Sequence, residues 1–157
     1  MSPTKPAAPR VEITSTQKTL RVPRKRIADL VRFVARAERR RVAEVDVAVV
    51  AGPEMAGLNR KYLRHAGVTD VLSFDLSGDP SEGLVAQIIV CADEAVAQAR
   101  LRRCPPQREL LLYVVHGLLH LMGYDDADPV QAARMHAREE NLLDRFRKAR
   151  RARPRRA

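Results

Sequence analysis

Two histidines stand four residues apart in the segment HGLLHLMGYDD. At this spacing His116 and His120 lie on one face of a helix, one turn apart, so both imidazoles can bind a single metal ion. Gly123 permits a sharp turn after the helix, because glycine readily adopts a positive φ. Asp125 or Asp126 could then approach the same ion. Two imidazoles and a carboxylate leave a fourth position for water, which is the ligand pattern of a catalytic zinc ion.

The glycine that follows His116 separates this segment from the zinc peptidases of the H-E-x-x-H type. Those enzymes place a glutamate there as the general base, and its absence argues against peptide hydrolysis by that route. Two histidines can also share an apolar helix without binding anything. The glycine and the acidic pair that follow His120 favour the metal site over that interpretation.

Hydrophobic periodicity predicts the helices and strands that position these residues. Strands are predicted over residues 11–15, 45–50, 71–76 and 84–91, and helices over about 23–41, 53–64, 93–103, 107–122 and 128–148. The order β-α-β-α-β-β-α-α-α predicts a single α/β (α+β) domain in which about five helices cover a mixed four-stranded sheet. The helix over 107–122 is apolar nearly all round, so we expect it to be buried and to carry the metal site.

The length of 157 residues and the hydrophobic fraction of 45% are ordinary for one globular domain. We assign residues 1–10 to a disordered N-terminus and residues 11–148 to a single catalytic domain. Residues 149–157 are assigned to a basic disordered tail.

Positive charge is concentrated near both ends of the chain, whose formal net charge is +10. Residues 145–157 contain eight lysines and arginines and no acid. The polar face of the predicted helix over 23–41 carries four more arginines, Arg32, Arg36, Arg39 and Arg40. Clustered positive charge favours a polyanionic partner, although the last residues could also serve only as a solubilising tail. Because aromatic residues are few and tryptophan is absent, binding to RNA should depend on phosphate contacts and be sensitive to salt.

Several protein classes are not indicated by the sequence. The longest apolar stretch, residues 110–124, is interrupted by two histidines and is shorter than the roughly 20 residues of a membrane span. The first ten residues lack the apolar segment of a secretory signal. Cys91 and Cys104 are too few and wrongly spaced for a zinc finger or a disulfide scaffold. We therefore expect a cytoplasmic protein without a membrane partner.

Two segments resemble the motifs of a known family. HGLLHLMGYDD is similar to the H-G-x-L-H-L-x-G-Y-D-H motif of the YbeY endoribonucleases, which are rRNA maturation factors. LNRKYLRHAGVTDVLSF, residues 58–74, resembles the family's L-N-x-x-Y-R-x-x-x-x-x-T-D-V-L-S-F motif. Met135 and the segment 139–143 resemble its closing helix. Together these matches span about residues 45–145.

This resemblance implies a zinc-dependent, single-strand-specific endoribonuclease that acts in rRNA maturation and ribosome quality control. The implied cofactor is one Zn²⁺ per chain, and the implied partners are precursor ribosomal RNA and the small ribosomal subunit. A mixed four-stranded sheet with the metal helix packed against it is also implied. The oligomeric state is left undetermined.

The resemblance also assigns roles to individual residues. His116, His120 and Asp126 would hold the metal, and His116 and His120 together with Arg64 would form the catalytic set. Asp126 stands where the family usually has histidine; aspartate is an acceptable zinc ligand, but it should make a bound water less acidic. Leu63 stands where the family has arginine, so Arg64, one position on, could neutralise the phosphate instead.

Other polar residues near the motifs have less specific interpretations. Glu109 could orient a ligand histidine or pair with a basic neighbour. Asp125 is interpreted as a carboxylate beside a ligand, and His136 as the alternative imidazole if Asp126 does not bind. Asp70 is interpreted as shaping the start of a strand beside the cleft. Two alternative functions stay open: a non-catalytic ribosome-assembly factor with a structural metal, and a metallohydrolase acting on another substrate.

Overall fold

The predicted order of strands and helices is confirmed by a computed structural model that describes residues 7–62 and 70–153. The strands of the described part are β1 (Arg10–Ser15), β2 (Val42–Val50), β3 (Val71–Asp75) and β4 (Leu84–Cys91). Its helices are α1 (Arg24–Ala37), α2 (Gly52–Tyr62), α3 (Ala92–Arg102), α4 (Pro106–Leu121) and α5 (Pro129–Ala152). A short 3-10 turn, Pro80–Glu82, lies in the connection between β3 and β4.

The sheet is mixed, as predicted, with the strand order β1-β2-β4-β3. Strand β1 pairs with β2 and β2 pairs with β4, both in parallel. Strand β3 pairs with β4 in the antiparallel direction, at the edge of the sheet. In the register, Val49 pairs with Val90, which in turn pairs with Val71. Because side chains alternate across a strand, the odd-numbered valines of β2 all face the main core, where they are fully buried.

Helix α4 is the centre of this core, as its all-round apolar sequence predicts. It packs against β3 and β4 on one side and against α1, α3 and α5 on the others. The helix lies close to the sheet at Gly117, where a Cβ atom would lie 3.1 Å from Cγ2 of Ile88 in β4. The glycine that directly follows His116 therefore permits this close approach.

A smaller cluster covers part of the opposite face of the sheet. It is built around Met55 of α2, Leu72 of β3 and Ile89 of β4. The sheet is thus covered by α2 on one face and by the main group of helices on the other.

Several predicted boundaries differ from those in the structure, and two of them differ by four residues. Helix α1 ends at Ala37 instead of Arg41, because Arg39 adopts a φ of 53° and β2 begins at Val42. Arg39 and Arg40 therefore follow the helix. The disordered tail does not begin at residue 149, because α5 continues to Ala152; this extension is built from alanine and arginine, which are good helix formers.

Within the described residues, no helix is both long and apolar enough to cross a membrane.

Candidate metal centre

The turn after α4 carries the candidate ligand Asp126 back towards the helix. The Gly123 N–H donates to the carbonyl of His120, and the Tyr124 N–H donates to the carbonyl of Leu119. This pair of bonds, with Gly123 at a φ of 106°, is a Schellman motif, which satisfies the last carbonyls of a helix and reverses the chain. The glycine predicted to permit a sharp turn does adopt a positive φ.

His116 is held by a carboxylate from α5. Its Nδ1 lies 2.8 Å from Oε1 of Glu139, a residue that is only 5% exposed. Because a carboxylate accepts hydrogen bonds, Nδ1 carries the proton and the lone pair of the neutral ring is on Nε2. Metal-binding histidines are usually oriented in this way by a second carboxylate.

The free Nε2 of His116 faces Asp126. The distance from Nε2 to Oδ2 of Asp126 is 3.9 Å, and this carboxylate is about half exposed. Two donor atoms on one tetrahedral zinc ion lie about 3.3 Å apart, so only a small movement would bring both onto one ion. The structure thus brings together two of the three predicted ligands.

His120, the third predicted ligand, lies one turn further along α4 and is exposed to solvent. Among residues 7–62 and 70–153, no group of three His, Cys, Asp or Glu side chains is arranged to hold a metal ion. The chemistry of the donors, two imidazoles and a carboxylate, nevertheless fits zinc. The oriented ring of His116 and its facing carboxylate are the observations that support this fit.

Negative charge surrounds His116. The hydrogen bond to Glu139 is the main cause that raises the pKa of His116 above its ordinary value, and it outweighs the lowering effect of burial. The charges of Asp70 and Asp126 raise this pKa further. The same negative field that favours a protonated imidazole also favours a bound cation.

The loop that carries Asp126 is tied to the end of α1, which sequence reasoning did not predict. The Tyr124 hydroxyl donates to Oε2 of Glu38 over 3.1 Å, and Arg138 Nε donates to Oε1 of the same carboxylate over 2.6 Å. Arg40 donates to the carbonyl of Met122 over 3.2 Å. Glu38 is 86 residues from Tyr124 and 100 from Arg138, so no local sequence signal could have indicated these contacts.

Glu109 pairs with a basic neighbour, which is one of the two interpretations of its sequence position. Its carboxylate is fully buried and lies 3.4 Å from a guanidinium nitrogen of Arg102. The Cys104 thiol also donates to it, over 3.6 Å. The orienting carboxylate for His116 is instead Glu139, which lies in the segment 139–143 that resembles the family's closing helix.

The remaining predicted residues are placed as follows. Asp125 shapes the turn, since its Oδ1 accepts from the backbone N–H groups of Asp126 and Ala127. His136 is exposed on α5. Arg64, the predicted catalytic cation, and its neighbour Leu63 lie outside the described residues.

Comparisons with known proteins support one family. The model of the family described as Endoribonuclease YbeY matches residues 12–147. An Endoribonuclease YbeY from a Nocardioides species is 37% identical over 134 residues, which cover 78% of this chain and 89% of that protein. Another, from Rhodococcus opacus, is 32% identical over 141 residues, covering 83% and 78% of the two chains. The solution structure of TM1509 from Thermotoga maritima is 26% identical, with a TM-score of 0.61 over 92% of this chain and 93% of that one.

Proposed function

The chain belongs to the YbeY endoribonuclease family, and from this premise we propose that it is a zinc-dependent, single-strand-specific endoribonuclease. Its proposed role is rRNA maturation and ribosome quality control in the cytoplasm, with precursor ribosomal RNA and the small ribosomal subunit as partners. The observation that supports a metal-dependent reaction is the geometry of His116. Its ring is oriented by the buried Glu139, and its free nitrogen faces Asp126.

In this proposal His116, His120 and Asp126 hold one Zn²⁺. When bound by these residues, the ion would supply Lewis-acid polarisation of the scissile phosphate and would activate water near neutral pH. Glu139 keeps the proton on Nδ1 of His116, so that the other nitrogen is available as a donor.

Positioning of the site depends on residues that touch neither metal nor substrate. The carboxylate of Glu38 accepts hydrogen bonds from Tyr124 and Arg138, and so joins the loop after α4 to α1 and α5. This arrangement holds the loop that carries Asp126. Arg64 is proposed to neutralise the phosphate in place of the arginine that the family has at position 63.

The test combines metal analysis with a cleavage assay on the purified full chain. The substrates are a labelled single-stranded rRNA fragment and the same fragment annealed to its complement. We expect zinc to copurify with the protein, the single strand alone to be cut, a chelator to stop the reaction and added Zn²⁺ to restore it. Cleavage that continues unchanged in the chelated, metal-free protein would contradict the proposal.

A second candidate function is a metal-binding ribosome-assembly factor that does not cleave RNA. The observation that favours it is Leu63 at the position of the family's arginine. The same assay separates the two functions, because this candidate predicts bound zinc and no cleavage of either substrate.

A further inference from the structure

A basic groove lies between α1 and the C-terminal end of α5, with a volume of about 810 Å³. We call it the arginine groove, because its lining includes Arg32, Arg36, Arg39, Arg40 and Arg41 from α1 and the residues after it, and Arg150 and Arg153 from the end of α5. These two groups of arginines come from opposite ends of the chain. The fold joins them into one cationic surface.

Little of this charge is neutralised by the protein itself. Among the described residues that line the groove, Asp29 supplies the one carboxylate. It already accepts hydrogen bonds from Arg150 over 2.8 Å and from Lys25 over 3.0 Å, and lies 3.8 Å from Arg32.

Two further arginines donate to neutral acceptors. Arg40 donates to the carbonyl of Met122, and Arg41 donates to the carbonyl of Ser81 over 2.9 Å. A carbonyl orients a guanidinium without cancelling its charge, so these groups still attract an anion.

Aromatic rings form an apolar part of the groove. Phe33 and Phe146 both line it, with ring centroids 5.6 Å apart. The guanidinium of Arg150 lies 5.5 Å from the Phe146 centroid, and that of Arg145 lies 5.8 Å from the Phe33 centroid. Phe33 is partly exposed, so a ligand in the groove would meet an apolar ring beside several fixed cations.

We propose that the arginine groove binds the sugar–phosphate backbone of single-stranded RNA outside the metal centre. Phosphates complement the charge of the seven arginines that line the groove, and the partly exposed ring of Phe33 can contact a base or a ribose. The concave shape favours a strand over a flat lipid surface.

The position of the groove connects it to the proposed reaction. Arg40 lines the groove and also donates to Met122, in the loop that leads to Asp126. The groove therefore shares a residue, Arg40, with the contacts that hold the turn before Asp126. This inference rests on the proposed function in taking RNA as the substrate, and it adds a binding site that acts on affinity and not on the chemical step.

The test compares two double variants with equal charge changes. The groove variant combines Arg36→Gln and Arg39→Gln. Arg36 is an exposed residue in the last turn of α1, and Arg39 is exposed just after the helix, with a φ of 53°. The control, Arg100→Gln with Arg103→Gln, makes the equivalent changes at the end of α3, where Arg103 has a φ of 54°. The two pairs are matched in exposure, helical position and backbone conformation, and only the first lies in the groove.

The probe is a fluorescein-labelled single-stranded oligonucleotide with 2′-O-methyl riboses, and a denaturing gel run after each titration checks that it has not been hydrolysed. If two phosphate contacts are lost, the groove variant should bind the probe about 25-fold more weakly at about 0.1 M salt. The slope of log affinity against log salt concentration should be smaller in magnitude by about 1.4. The control should bind as the wild type does. Equal affinity in the groove variant, an equal loss in the control, or no binding of the probe by the wild type would overturn the proposal.

Two further measurements separate this inference from the proposed function. If the wild type cleaves natural RNA, the groove variant should show a raised KM with an unchanged kcat, because uniform binding has been removed. If the wild type binds the probe through the groove but cleaves no RNA, the proposed function is contradicted, whereas the RNA-binding role of the groove is supported. Binding to phosphatidylglycerol vesicles is compared in the same way. If the groove variant loses vesicle binding relative to the wild type while its RNA binding is unchanged, the partner of the groove is a lipid surface and the inference is overturned.

Discussion

Glu139 shows how much a single residue can contribute without touching substrate. It is buried, lies on a different helix from His116 and accepts a hydrogen bond from Nδ1–H. Without it, the imidazole would lose both its fixed orientation and its assigned tautomer. The loss of such an orienting carboxylate typically costs a metal site about 10–100-fold in affinity.

The effect of Glu139 on His116 predicts the pH dependence of the metal-free protein. The raised pKa of His116 means that the folded state holds the proton more tightly than the unfolded state. The resulting stability is fully present below the unfolded pKa of about 6.5 and is lost as pH rises through the higher folded value. Thermal unfolding of chelator-treated protein should therefore show Tm falling over this range.

The variant Glu139→Gln should flatten this pH dependence, because the main cause of the raised pKa is removed. His136→Gln, at an exposed histidine on the same helix, is the matched control and should leave the profile unchanged. An unaltered Tm profile in Glu139→Gln would show that the Glu139 contact does not govern the protonation of His116.

Asp126 is the residue at which this chain departs from the three-histidine set of the family it resembles. Asp126→Ala leaves two of the three proposed ligands, so elemental analysis of the variant should find no stoichiometric zinc. Asp126→His should retain zinc, and its pH–activity profile should shift to the acid side because one negative charge near the metal is removed. An alanine variant that still copurifies with one zinc per chain would identify Asp125 or His136 as the ligand.

At the scale of elements, the end of α4 determines where Asp126 lies. Its Schellman motif requires a residue with a positive φ at position 123, and the observed value of 106° is accessible mainly to glycine. A Cβ atom at this position would meet nothing within 4 Å. Substitution there therefore tests backbone conformation without adding a steric clash.

Gly123→Ala should destabilise the protein by about 1–2 kcal/mol, because alanine is strained at the positive φ that this turn requires. The variant should also bind zinc more weakly, because the same turn returns Asp126 to His116. Gly78→Ala is the control, since Gly78 is an exposed loop glycine whose added Cβ would also meet nothing within 4 Å. Denaturant unfolding and zinc titration measure the two effects. Equal stability and zinc affinity in the two variants would contradict the role assigned to this turn.

At the scale of the whole molecule, helix α1 is held against the C-terminal part of α5. Arg150 near the end of α5 donates to Asp29 of α1, 121 residues away. Partial burial raises the pKa of Asp29, but hydrogen bonds from Lys25 and Arg150 outweigh burial and hold the pKa below its ordinary value. The C-terminal part of α5 is therefore part of the folded domain, and it completes the arginine groove.

Arg150→Gln should lower Tm at neutral pH, since a partly exposed ion pair contributes up to about 1 kcal/mol, or about 2–4 °C in a chain of this size. Arg151→Gln, at the next and exposed position, is the control and should have little effect. The difference between them should shrink at high salt, and also as pH falls through the lowered pKa of Asp29, where the carboxylate is neutralised. A difference that persists under both conditions would point to packing instead of charge.

Local sequence was sufficient to predict the order of the strands and helices, the burial of α4 and the turn at Gly123. These features depend on hydrophobic periodicity and on the backbone freedom of glycine, which are properties of neighbouring residues. The pairing of His116 with Asp126 was also predictable, because both belong to one helix and the turn that follows it.

Only the tertiary structure decided which groups surround those residues. Three contacts join residues that are far apart in the chain. Glu139 lies 23 positions from its partner His116, Glu38 lies 86 from Tyr124, and Asp29 lies 121 from Arg150. Such contacts depend on how the helices pack on the sheet, and single-sequence periodicity reports only which face of each helix is buried. The sequence by itself therefore determined the elements and the candidate donors, whereas packing decided how the donors are oriented and where the positive charge is gathered.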